Sequence, residues 1–88
     1  MSPRHVERLE LSQAEPETNK DYLFELGLLH STGRSAPADF LAAHKWFNLS
    51  AQRGNEMAAR LRSEIAAEMS ASEVASAQRA AREWMTKH

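Results

Sequence analysis

Four histidines, His5, His30, His44 and His88, are the side chains best suited to metal or proton chemistry, and no two stand at i, i+3 or i, i+4. A helical zinc site needs that spacing or several converging ligands. The sequence therefore points to no metal and no cofactor. His30 reads as a packing residue at the end of a helix and His44 as a solvated or half-buried helix residue. Cysteine is absent, which excludes disulfides, thiolate ligands and thiol catalysis. Serine catalysis needs an oriented base, and no G-x-S-x-G elbow is present. The STGRS stretch, Ser31 to Ser35, lacks the lysine and glycine spacing of a phosphate loop and reads as a turn with an exposed arginine.

Nor does the charge pattern favour nucleic acid. Lys+Arg number 11 against Asp+Glu 12, and Arg60, Arg62, Arg79 and Arg82 are interleaved with Glu64, Glu68, Glu73 and Glu83. Phosphate backbones select a patch of one sign. Trp46, Phe47 and Trp84 sit at helical spacing and read as packing aromatics, with Trp84 a cover for the third helix or a dimer contact. No acid, base and nucleophile converge, so the expectation is a protein that is not an enzyme.

The elements that must position these residues are helical. The 88 residues suffice for one small domain. Residues 1–18 carry only Val6, Leu9 and Leu11 as large apolar side chains and read as a loosely ordered arm, leaving 19–88 as the domain. Thr18 and Asp21 are a candidate start for a helix over 19–32 closed by Gly33. A second helix, over 38–53, carries Phe40, Ala43, Phe47 and Ser50/Ala51 on one face and stops at Gly54. Asn55 caps a third, over 56–68, with Met57, Ala58, Leu61, Ile65 and Ala66 or Met69 inward. Ser70 and Glu73 form a capping box for a fourth, over 71–86, with Val74, Ala77, Ala81 and Trp84/Met85 inward. No segment alternates as a half-buried strand would. The fold is expected to be all-α, two stacked antiparallel helical hairpins. No apolar run approaches the roughly 18 residues of a membrane span, and the composition fits the cytoplasm.

Leu26-Gly27, Gly33, Asp39, Ala43, Trp46-Phe47, Ala51, Gly54 and Ala58 follow the spacing of the Sel-one-like repeat, a tetratricopeptide-like α/α unit. The stretch from Tyr22 to Ala58 resembles one such repeat. It departs from the pattern at Tyr22, His30, Ser35 and Ser50, and Arg62-Ser63 stand where Leu-Gly would recur, so the last two helices resemble a divergent closing hairpin. The resemblance implies a scaffold or adaptor in bacterial signalling or envelope-related complexes, without catalysis.

The repeat explains a glycine inside a helix, which is otherwise less favourable than alanine by about 1 kcal/mol. Gly27 lets the second helix approach, with Ala42 and Ala43 the expected small partners. On the opposite side of the first helix, Phe24 and Leu28 form a stripe that a preceding repeat would normally cover. The arm, a second copy or another protein are the three candidates to cover it. Tyr22, Phe24, Glu25, Leu28 and Leu29 are accordingly the candidate partner-binding residues. Two functions remain open, a protein–protein adaptor and a structural or regulatory homodimer that self-associates through that edge.

Overall fold

The computed structural model describes residues 19–33 and 38–87. Among these residues all regular structure is helical: α1 spans Lys20–Thr32, α2 Phe40–Gln52, α3 Glu56–Ala66 and α4 Ala71–Lys87. The expected four-helix, strandless class holds. The proposed arm lies outside the described residues, as do Arg34, Ser35 and His88.

Each helix begins where a short polar side chain satisfies the free amides of the first turn. Asn19, one residue beyond the expected Thr18, accepts from the amides of Asp21 at 2.8 Å and Tyr22 at 3.1 Å. Asp39 accepts from the Ala42 amide at 3.1 Å and Asn55 from the Ala58 amide at 2.9 Å. The Ser70–Glu73 box closes in both directions, with the Ser70 amide 2.8 Å from the Glu73 carboxylate and the Glu73 amide 3.0 Å from the Ser70 hydroxyl. At the other ends, Gly33 caps α1 at φ 72° and Gly54 follows α2 at φ 103°, both in the left-handed region open to glycine.

Two hydrogen bonds fix α1 and α2 as antiparallel. The Asp39 amide donates to the His30 carbonyl at 2.8 Å, and thirty residues apart in sequence the Ser50 hydroxyl donates to the Lys20 carbonyl at 2.6 Å. Across the short turn at Asn55, Arg62 donates to Asn48 at 2.7 Å, which sets α3 antiparallel to α2. All three of the other helices pack mainly on α2, whereas α3 and α4 are not among the closely packed pairs. The closing pair is thus held through α2 rather than by its own mutual contact.

Two clusters lie on either side of α2. Leu23, Leu49 and Ala81 are fully buried in one, with Leu26, Trp46 and Trp84 against them, joining α1, α2 and α4. Ala43, Phe47 and Ala58 form the other, with Phe24, Leu28, Ala51, Leu61 and Ile65, joining α1, α2 and α3. The nearly all-round apolar character of α1 follows. Leu23 and Leu26 serve the first cluster and Phe24 and Leu28 the second.

Several expectations are corrected here. Phe24 and Leu28 are not an uncovered edge: they are half-buried against the second cluster, and the Phe24 and Phe47 ring centroids are 5.7 Å apart. What covers them is this chain's own α2–α3 cluster. The atoms nearest a β-carbon placed on Gly27 belong to the ring of Phe47, where Ala42 and Ala43 are the expected neighbours. Met57, expected inward, is 48% exposed because the turn at Asn55 aims Ala58 at α2 instead. Met85 likewise faces outward, and Trp84 packs on Trp46 and the first cluster.

Candidate functional site

With Phe24 and Leu28 half-buried against the second cluster, the candidate partner-binding residues divide by face. Tyr22 is 45% exposed, Leu29 is 36% exposed, and Glu25 between them is also exposed. These three stand at i, i+3 and i+7 on α1 and share one outward stripe, one turn apart in succession. The stripe is rigidly presented. Behind it Leu23 and Gly27 are buried against α2, and the Asn19 cap and the Ser50–Lys20 bond pin the first turn of α1.

The residues that carry the resemblance have structural roles. Gly33, Asp39 and Gly54 shape turns and a cap, Ala43, Phe47 and Ala58 are core, and Leu26, Trp46 and Ala51 pack at its margin. Trp46 meets Trp84 edge-on, at 6.0 Å between centroids and 83° between planes. Lys45 Nζ stands 4.2 Å from the Trp46 ring and the Arg53 guanidinium 5.4 Å from that of Trp84. Cations on both ring systems leave that seam occupied by the chain itself.

Two hydroxyls of the STGRS stretch, those of Ser31 and Thr32, are turned back on their own helix. Ser31 and Thr32 donate to the Leu28 carbonyl at 3.3 Å and 2.7 Å, capping the end of α1. Among the described residues, no three His, Asp or Glu side chains gather as a metal site would require. An open groove of about 550 Å³ lies between the start of α2 and the α3–α4 turn, with Leu41 and Met69 beside Asp39, Glu68 and Glu73. Two of its three carboxylates, Asp39 and Glu73, serve as helix caps.

His44 departs most from expectation. It is 3% exposed, and its Nδ1 is buried without a hydrogen-bond partner among the described residues. Burial, and secondarily the Arg62 guanidinium, hold its pKa below the ordinary histidine value. Its position, four residues after Phe40 and three before Phe47, is on the expected inward face, and sequence reasoning missed it by weighing the residue type over that spacing. A face of α2 contacted by both α3 and α4 is apolar-demanding on more than one side, and only the helix arrangement reveals that.

Comparison with family models, curated proteins and solved structures finds no match to this chain. Among the described residues no helix is long and apolar enough to cross a membrane.

Proposed function

We propose that this chain is a small non-catalytic interaction adaptor that engages another protein through the outward face of α1. The observation that carries this reading is the stripe of Tyr22, Glu25 and Leu29. Two large apolar side chains flank a carboxylate on a helix anchored behind by its buried face. Recognition of one helix face by a groove uses anchors at this spacing, and tyrosine contributes large contact area at small entropic cost. The Sel-one-like repeat belongs to the same proposal. Its support is that Gly27 and Phe47, two of the repeat positions, form the close contact between α1 and α2. A role in bacterial signalling or regulation, and a cytoplasmic location, go with that repeat assignment.

The test replaces Tyr22→Glu and Leu29→Glu together in the full chain. Both residues are exposed, so circular dichroism and the denaturation midpoint should stay close to wild type. A protein captured by the wild-type chain, then purified and titrated against both forms, should lose at least tenfold in affinity for the double variant. Unchanged affinity would remove the α1 face from consideration. Light scattering over a range of concentrations addresses the other occupant: a dimer that dissociates in the double variant assigns the stripe to a second copy of this chain.

A further inference from the structure

We infer that His44 and Arg62 form an acid-sensitive clasp between α2 and α3: a proton taken up by the buried imidazole brings two cations together, and α3 is released from α2. The geometry comes from three neighbours. His44 and Asn48 are one helical turn apart on α2, and the Asn48 side-chain oxygen accepts from Arg62 of α3 at 2.7 Å. The guanidinium is therefore anchored beside the face that buries His44. The imidazole Nδ1 has no partner among the described residues, so a proton placed there finds no acceptor to offset the loss of solvation.

Among the described residues, desolvation and Arg62 are the influences on His44, and no carboxylate offsets them. On α3, Glu56, Arg60 and Glu64 are exposed, leaving Arg62 as the charge that acts on His44. On α4, the Glu73 carboxylate is bound to the Ser70 amide, and Arg79, Arg82 and Glu83 are exposed. On α1, Lys20, Asp21 and Glu25 are exposed, and on α2 itself Lys45 stands over Trp46. Both causes acting on His44, desolvation first and Arg62 second, disfavour its charged form. The closed clasp thus holds a neutral imidazole near neutral pH.

The sign of the pH effect follows. The open form accepts a proton near the ordinary histidine value of about 6.5, and the closed form only at lower pH. Acidification below about 6.5 favours opening by up to tenfold per pH unit until the closed form also titrates. Release of α3 would uncover the Phe24, Leu28 and Phe47 side of the second cluster, so acid would expose an apolar face that neutral pH keeps covered.

The experiment is amide hydrogen exchange on the full chain, corrected for intrinsic rates, together with NMR titration of the His44 imidazole. Opening constants across residues 58–65 should rise up to tenfold per unit below pH 6.5, while amides of α1 and α2 stay protected. Arg62→Gln should lessen the dependence and His44→Phe should flatten it. An imidazole titrating at or above 6.5 would overturn the inference. So would an acid response unchanged in His44→Phe, or opening constants for α3 amides no larger than those of α1 and α2 across the pH range. Should His44→Phe fail to fold, the titration and the exchange pattern of the wild-type chain decide alone.

Discussion

The ring of Phe47 lies against Gly27 so closely that a β-carbon added to the glycine would meet Phe47 Cγ at 3.0 Å and press further into the ring edge. Real β-carbons do not tolerate such an approach to a ring that is itself only 1% exposed. The glycine is therefore required by an aromatic side chain, not by a bare backbone crossing.

Gly27→Ala sets two effects against each other. Alanine gains about 1 kcal/mol of helix propensity, while overpacking costs typically about 1–3 kcal/mol. Phe47 is enclosed by Ala43, Ala58 and Phe24 and has little room to yield. We expect net destabilisation in urea unfolding. In a Phe47→Leu background, where the ring edge is gone, the same change should become neutral or stabilising. Additive effects of the two substitutions would contradict the direct contact.

Ser50 is fully buried and joins the end of α2 to the first turn of α1 through its 2.6 Å bond to the Lys20 carbonyl. Ser50→Ala should cost about 1 kcal/mol, the usual net worth of such a bond. Hydrogen exchange should show the first turn of α1 fraying more readily. A variant as stable as wild type would mean the bond contributes nothing.

The Trp46–Trp84 pair fastens the last part of α4 to the middle of α2. Trp84→Ala should cost about 3 kcal/mol, the low end for truncating a large aromatic, because the side chain is only half-buried. Trp84→Phe should recover much of this. The emission of Trp46 should shift to the red in the alanine variant as its cover is lost, and an unchanged spectrum would count against the edge-on contact.

His44 makes global stability pH-dependent in a definite direction. Its folded pKa is lowered, first by burial and then by Arg62, so between that value and about 6.5 the unfolded chain binds the extra proton. Stability is present above about pH 6.5 and falls on acidification by up to about 1.4 kcal/mol per pH unit. His44→Leu should remove this slope and, by deleting an unpartnered buried nitrogen, match or exceed wild-type stability at pH 7. Urea midpoints at several pH values give both readings.

The sequence by itself determined the four helices and most of their ends. Asp39, Asn55 and the Ser70–Glu73 pair act on amides within three residues of themselves, and Gly33 and Gly54 act through their own φ. Such signals are local, so the chain order displays them. The need for a small residue at Gly27 was legible for the same reason: a glycine costs helix stability wherever it stands, and something must offset it.

Which residue offsets it was not. Whether Phe47 or Ala43 faces Gly27 depends on the rotation and crossing of α1 against α2, and both lie on the same predicted face. Only the tertiary structure decided that Phe24 and Leu28 turn inward while Tyr22 and Leu29 stay out, that Trp84 meets Trp46, and that His44 is enclosed. Periodicity tells which side chains share a stripe. How three helices divide the faces of a fourth is set by packing among residues distant in the chain, and that is where the candidate surface and the buried histidine were fixed.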